Sequence, residues 1–142
     1  MAAWLQGRRP SLALVEVDTP EFTRALEAWA EAAFLARESP REMKRFLNRL
    51  RFANTGPTTP DGPTMVGLAV LAHKDRRRVE AFRDGRIGLE ALSGTSRNDQ
   101  DAFAEAVERA MAALRSDGLP FQPSPEDARA FLDAWTAVTV RA

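Results

Sequence analysis

The sequence predicts a mainly α fold, a helical bundle of five or six helices with at most a short N-terminal β-strand. Three helix starts share one pattern, in which a hydroxyl residue precedes a proline, at Thr19, Ser39 and Ser124. Hydroxyl side chains cap helix N-termini, and proline suits the first helical position because its missing N–H would have no partner there. Apolar residues then recur every three or four positions, which is the period of one helix face. Only residues 11–17 have the pattern of a strand.

The first two predicted helices begin at Pro20 and Pro40. The apolar residues of the first helix recur at spacings of four, three and four, and they are Phe22, Leu26, Trp29 and Ala33. This helix is expected to end near Arg37. The apolar stripe of the second helix consists of Met43, Phe46, Leu47 and Leu50. Both patterns place one face of the helix in a core.

Two of the helix starts also carry a partner three residues later. Ser39 and Glu42 have the spacing of a capping box, in which each side chain accepts a hydrogen bond from the other residue's backbone N–H. Ser124 and Asp127 offer a weaker version of the same motif. We therefore expect the start at Ser39 to be the more completely capped of the two.

The rest of the chain alternates loops and helices. Residues 54–64 and 83–99 are expected to be irregular because glycine, proline and asparagine or serine punctuate them. Between them a strongly apolar helix runs from about Met65 to Phe82, with a possible break near Lys74 or Asp75. Two further helices have stripes formed by Phe103, Val107, Met111 and Leu114, and by Ala128, Phe131, Leu132, Trp135 and Val138. The first of these should end at Gly118, a C-cap.

Size and composition indicate one globular domain that spans residues 1–142. The chain has 142 residues, 44% of them hydrophobic, and no repeat or long linker divides it. Twenty basic and twenty acidic residues leave no net charge, so any electrostatic function has to be local. The lack of cysteine and the single histidine, His73, exclude thiolate chemistry and histidine-based metal sites. No apolar run is long enough for a signal peptide or membrane span, so we expect a cytoplasmic protein with no membrane partner.

The helix after Pro40 has an unusual charge pattern. On a helical wheel its apolar stripe faces one side, and Arg41, Lys44, Arg45 and Asn48 gather on the other, with Arg49 and Arg51 at the flanks. From Arg37 to Arg51 there are six basic residues and only two acidic ones. Such a face is either a solvated surface or an anion-binding one, since helix N-termini attract phosphates.

The segment "SPREMKRFLNRLRF" resembles the N/S-P-R-x-x-K-R-x-x-N signature of KAP-family P-loop NTPases, which belong to the STAND and AAA+-like group. The matching residues are Pro40, Arg41, Lys44, Arg45 and Asn48, with Phe46, Leu47 and Leu50 at the apolar positions. The neighbouring segments "LEAWAEAAF" and "MVGLAVLAHKDRRRVEAF" are similar to the helices before and after that signature. The resemblance covers about residues 19–83. Residues 84–142 are unrecognised additional helices.

The chain lacks the catalytic motifs of that family. No segment has the form G-x-x-x-x-G-K-[ST], and "GPTTPDG" has two glycines but no lysine. "LALVEVD" is not a strand that ends in an adjacent acidic pair. The resemblance therefore implies an accessory lid or C-terminal segment, either a fragment of a longer protein or the product of a split gene. Such a segment would act only with a Walker-bearing NTPase region or subunit that binds ATP and Mg²⁺.

The lid hypothesis gives Arg41 a role. In AAA+-like enzymes an arginine at the start of a lid helix can contact the γ-phosphate, so the lid responds to hydrolysis. Lys44 and Arg45 are weaker candidates, and Asn48 could orient them. This hypothesis also expects an exposed apolar surface that faces the nucleotide-binding core.

The alternative is a freestanding helical interaction domain that binds an acidic protein or nucleic acid through its basic helix. The run "KDRRR", residues 74–78, could also contact nucleic acid, but it reads more simply as a solvated helix end. That the chain is itself an enzyme has the least support, because it has no Walker motif and no nucleophile motif such as G-x-S-x-G.

Overall fold

The computed structural model describes residues 19–35, 39–54, 60–93 and 102–141, with side chains up to residue 137. Within these ranges the chain forms six helices: α1 (Pro20–Leu35), α2 (Pro40–Ala53), α3 (Gly62–Arg83), α4 (Leu89–Ser93), α5 (Ala102–Ser116) and α6 (Pro125–Arg141). No strand occurs in the described ranges. The mainly α prediction is confirmed. The strand expected at residues 11–17, the residue Arg37 and the loop residues 55–59 lie outside the described part of the chain.

Helix α3 is the centre of the bundle. Every residue from Thr64 to Ala72 is buried. A helix that is apolar on all sides has to be surrounded by other elements. Helices α1 and α6 provide most of this cover, α1 also packs on α5, and α2 packs mainly on α6. Helices α1 and α2 therefore have different main neighbours, although both also contact α3.

One hydrophobic cluster contains residues from all six helices. Its largest fully buried side chains include Trp29 from α1, Met65 from α3 and Phe131 from α6. Phe121, in the segment before α6, packs edge-on against Trp29 with the ring centroids 5.3 Å apart. The same ring lies directly over Gly67 of α3. The absence of a side chain at Gly67 lets this segment approach α3 closely.

Helix α3 departs from the sequence-based expectation at its start and agrees with it in the middle. It begins at Gly62 because the Asp61 carboxylate accepts a hydrogen bond from the Thr64 N–H at 2.9 Å. Residues 62–64, expected in a loop, are therefore helical. The predicted break is present at Asp75, where φ is −156° and ψ is 89°. The helix continues after the break and returns Val79 and Phe82 to the core.

The capping boxes rank in the opposite order to the expectation. Ser124 and Asp127 form both hydrogen bonds of the motif, at 3.0 and 3.1 Å. Between Ser39 and Glu42 only the first bond is present, from the Glu42 N–H to Ser39 Oγ at 3.2 Å. The expectation was wrong here, since the Glu42 side chain remains exposed instead of returning to the Ser39 N–H.

Glycines end two of the helices. Gly85 and Gly118 have φ of 75° and 76°, in the left-handed region that glycine adopts without strain. After each, the chain donates the paired hydrogen bonds of a Schellman motif, for example Leu119 N–H to Leu114 O at 2.8 Å. The predicted C-cap at Gly118 is confirmed. Helix α4 was not predicted, and it forms where burial of Leu92 anchors a stretch that the sequence marks as irregular.

Candidate functional site

Helix α2 presents two different faces. Its inner face is buried through Phe46, Leu50 and Ala53. The Phe46 ring meets the rings of Trp135 and His73 edge-on, both with centroids 5.9 Å apart. These contacts fix the rotation of α2 about its axis. The contact with Phe46 also makes the His73 ring part of the packing of the bundle.

The outer face carries the residues that the sequence singled out. Arg41, Lys44, Arg45 and Asn48 are all exposed. Phe52 lies on the same side and is 60% exposed. Arg41, Arg45, Asn48 and Phe52 follow each other at spacings of four, three and four, so they form one stripe along the helix. We call this stripe, together with Lys44, the basic face.

The cations of the basic face form no ion pair within the described part of the chain. Among the described residues, no carboxylate forms an ion pair with Arg41, Lys44 or Arg45, and the Asn48 side chain has no hydrogen-bond partner. Elsewhere in the bundle arginines do have acidic partners, as the pairs of Arg76 with Glu80 and Arg109 with Glu31 show, at 3.1 and 2.7 Å. Helix α2 holds five basic residues and one acidic residue, a net charge of +4. It is therefore a local positive surface on a neutral chain.

The N-terminus of α2 offers few backbone donors to an anion. Pro40 has no N–H, the Glu42 N–H binds Ser39 Oγ, and the Met43 N–H binds the Ser39 carbonyl at 3.1 Å. Among the described residues, only the Arg41 N–H of this first turn has no hydrogen-bond partner. An anion at this end of α2 would be held chiefly by side chains of the basic face.

Arg49 has a different role from the basic face. Its guanidinium lies 4.0 Å from the centroid of the Trp135 ring, and its Nη2 donates a hydrogen bond to the Trp135 carbonyl at 3.2 Å. Burial, and then the charge of Arg76, lower the pKa of Arg49 below its usual value. Arg49 thus connects α2 to α6 and stabilises the bundle. No local pattern in the sequence indicates this contact, because the two residues are 86 positions apart.

A second surface feature lies beside α2. An apolar groove of about 370 Å³ runs between α1 and α2, with Val66 and Val70 of α3 as its floor. Its walls include Leu26, Trp29, Ala33 and Phe34 from α1 and Met43, Phe46 and Leu47 from α2. Phe34 stands on the rim and is 65% exposed. The sequence placed Leu26, Met43 and Leu47 on core-facing stripes, and in the structure they pack against the hydrophobic cluster. They are only partly buried, because they also form walls of this groove.

A wider cleft on another part of the molecule has the opposite character. It has a volume of about 500 Å³ and lies between the first turns of α1 and α3 and residues 118–120. Its charged residues are acidic, Glu21 and Asp61, and Asp61 already caps α3. This cleft would repel an anion, so the basic face is the better candidate for binding one.

Other site types find no support in the described ranges. Within them no cluster of three or more His, Asp or Glu side chains could hold a metal ion. None of the described helices combines the length and apolar character that a membrane crossing requires. Comparison of the chain with protein-family models, with curated proteins and with solved structures found no match. A functional assignment therefore has to come from the residues themselves.

Proposed function

We propose that this chain is a helical interaction domain that binds an acidic segment of a partner protein through the basic face of α2. The observation that carries the proposal is the exposure of Arg41, Lys44 and Arg45 on one side of a helix without an acidic partner in the described chain. A carboxylate-rich segment would supply the missing counter-charges.

The shape of the basic face favours a protein over a nucleic acid. The helix is 14 residues long, so the face extends for about 20 Å. It includes the exposed aromatic ring of Phe52, and arginine and aromatic residues are the side chains that dominate protein interfaces. Three cations on a neutral chain would neutralise only a few phosphates, which gives weak nucleic-acid affinity.

Titration calorimetry with poly-L-glutamate tests this proposal. We expect the wild-type chain to bind this probe with an affinity that falls as salt rises. The variant R41A/K44A/R45A should bind at least about tenfold more weakly, because each lost contact is charge-assisted. The control R77A/R115A/R129A removes the same charge from exposed positions on other helices. Its affinity for poly-L-glutamate should stay within about twofold of the wild-type value if the probe binds at the basic face.

Two results would contradict the proposal. Equal losses in the two triple variants would show that the probe responds only to total charge. Tighter binding to duplex DNA than to poly-L-glutamate, again lost in R41A/K44A/R45A, would identify the face as a nucleic-acid surface instead.

A second candidate function is the accessory lid of a KAP-like P-loop ATPase. It is favoured by the position of Arg41, which is exposed in the first turn of α2 while an apolar groove lies along another side of the same helix. A nucleotide-binding region packed on the groove would bring ATP and Mg²⁺ near the basic face. In this function Arg41 would contact the γ-phosphate, Lys44 and Arg45 would assist, and Asn48 would orient them.

The lid candidate is tested on the native protein, purified from its source with whatever remains bound. An intact mass well above 15.7 kDa, or a co-purifying Walker-containing subunit, is expected if the chain is a lid. R41A should then abolish MgATP turnover while R77A retains it, with unchanged circular dichroism in both. A lone 15.7 kDa species without ATPase activity would exclude this function.

A further inference from the structure

We infer that the acidic segment bound by the basic face also carries an apolar side chain, which packs on the exposed ring of Phe52. The partner segment is then bipartite. Its carboxylates pair with Arg41, Lys44 and Arg45, and its apolar side chain lies beyond them, over the last turn of α2. This inference rests on the proposed function, because it specifies which acidic segments the basic face prefers.

The charges of the basic face are concentrated at one end of α2. Its three cations all lie within the first six residues of the helix, and the exposed stripe continues with the uncharged side chains of Asn48 and Phe52. The two later arginines of α2 lie off this stripe. The Arg49 guanidinium lies 4.0 Å from the centroid of the Trp135 ring, and Arg51 is about 100° around the helix from Phe52. A partner therefore meets positive charge at the start of α2 and an apolar ring at its end.

Phe52 is one of two phenylalanines that the fold leaves exposed. The sequence has eight phenylalanines, and six of them are buried in the core. The Phe52 ring is 60% exposed, so most of its apolar surface remains in water. Aromatic rings are frequent at protein interfaces because they bury a large apolar area with few rotatable bonds. An apolar side chain of the partner would remove the Phe52 ring from water at the point where the cations end.

The geometry of α2 sets the spacing within the partner segment. Arg45 and Phe52 are seven residues apart, so about 10 Å separates them along the helix axis. An extended segment advances about 3.4 Å per residue. The apolar side chain is therefore expected about three residues from the carboxylate that pairs with Arg45.

The presence of only one ring on the basic face favours a protein partner over a single-stranded nucleic acid. Proteins that bind single strands supply several aromatic side chains, on which successive bases stack. The basic face has one ring, and that ring lies at its end. A group of carboxylates followed by one apolar side chain matches this arrangement more closely.

Calorimetric titration of the full chain with short peptides at low salt tests the inference. The peptides EEEEGSF and FSGEEEE place a ring after or before the acids, and their controls EEEEGSS and SSGEEEE lack the ring. All four have acetylated and amidated ends, so they carry the same charge. We expect the wild type to bind one ring-bearing peptide at least about fivefold more tightly than its control, because binding buries the ring.

Variants of Phe52 assign this preference to its ring. F52S should bind the ring-bearing peptide and its control equally, within about twofold of the wild-type affinity for the control. F52L should keep part of the preference, because leucine retains an apolar side chain. F34S is the matched variant, since it removes a similarly exposed ring from α1, and it should keep the whole preference. R41A/K44A/R45A should bind all four peptides more weakly.

Three results would overturn the inference. The first is equal affinity of the wild type for the ring-bearing and control peptides in both orders. The second is a preference that F52S retains or that F34S loses. In both cases, binding of the control peptides that is weakened in R41A/K44A/R45A would leave the proposed function standing. The third is tighter binding to single-stranded oligothymidylate than to either ring-bearing peptide, lost in F52S, which would identify a nucleic-acid surface. A wild type that binds neither the peptides nor poly-L-glutamate would reject the proposed function and the inference together.

Discussion

Gly67 is the residue at which α3 and the segment before α6 make close contact. A Cβ atom at this position would lie 2.7 Å from Cδ1 and 3.0 Å from Cζ of Phe121. The Phe121 ring is buried and packs against Trp29, so it cannot move aside without disturbing the core. One missing methyl group therefore sets the distance between two parts of the chain that are far apart in sequence.

We predict that G67A lowers the free energy of unfolding by about 1–3 kcal/mol, the usual cost of overpacking a filled core. Urea denaturation followed by circular dichroism measures this change. G88A is the control, because no atom lies within 4 Å of a Cβ built at Gly88. Equal stability of G67A and wild type would show that the Phe121 ring can be accommodated elsewhere.

Asp84, at the end of α3, contributes to the stability of the fold in a pH-dependent way. Arg83 donates two hydrogen bonds to its carboxylate, at 2.9 and 3.3 Å, and these lower the pKa of Asp84 below its usual value. Because the folded state favours the ionised form of Asp84, this contribution to the free energy of unfolding is present above the pKa of Asp84 in the unfolded state. It is lost as pH falls through the lower folded-state pKa.

We predict that D84N reduces the dependence of Tm on pH in the acid range, between the unfolded-state pKa of Asp84 and its lower folded-state pKa. The difference in Tm between wild type and D84N should be present at neutral pH and vanish in strong acid. The effect should be small, and smaller still at high salt, because the pair is exposed to solvent. Parallel melting curves at all pH values would contradict this assignment.

At the scale of the helices, the sequence predicted most starts and ends because their signals are local. The hydroxyl–proline starts of α1, α2 and α6 and the glycine end of α5 depend only on neighbouring residues. Helix α4 could not be predicted in this way. It is held by burial of Leu92, a contact that depends on the folded core. The early start of α3 did have a local signal, the Asp61 cap followed by Pro63.

The two capping boxes give a prediction at this scale. D127A should cost about 1 kcal/mol in the free energy of unfolding, since it removes the carboxylate that accepts from the Ser124 N–H. E42A should lower the free energy of unfolding by only about a few tenths of a kcal/mol, because the Glu42 side chain accepts no hydrogen bond from the Ser39 N–H. Thermal unfolding of both variants measures the difference. Equal costs would mean that helix propensity, rather than capping, determines both.

At the scale of the whole molecule, the sequence predicted the composition of the surface better than its shape. The wheel placed Arg41, Lys44, Arg45 and Asn48 on one face, and they are exposed together in the structure. The local excess of positive charge was visible in the sequence, but the lack of ion pairs between these residues and the other described helices, and the position of the groove between α1 and α2, were not predictable. Both depend on which helices become neighbours, and apolar spacing alone does not encode that choice.

We predict that the chain unfolds in one cooperative transition, as expected for a single domain, because residues from all six helices share one cluster. Buried Trp29 in α1 and Trp135 in α6 report on different helices. The fluorescence of W29F, which retains Trp135, and that of W135F, which retains Trp29, should therefore each give the same urea midpoint as circular dichroism of the same variant. Two separate midpoints would show that the bundle consists of independent units.

The separate support of α1 and α2 has a consequence for evolution. Because α1 rests on α3 and α5 while α2 rests mainly on α6, the two walls of the groove pack mainly on different sets of helices. We therefore expect substitutions at Leu26 or Phe34 to affect Met43 and Leu47 chiefly through the shared floor residues Val66 and Val70. Homologous chains could acquire new binding preferences at this groove, one wall at a time, while the bundle that carries it stays intact.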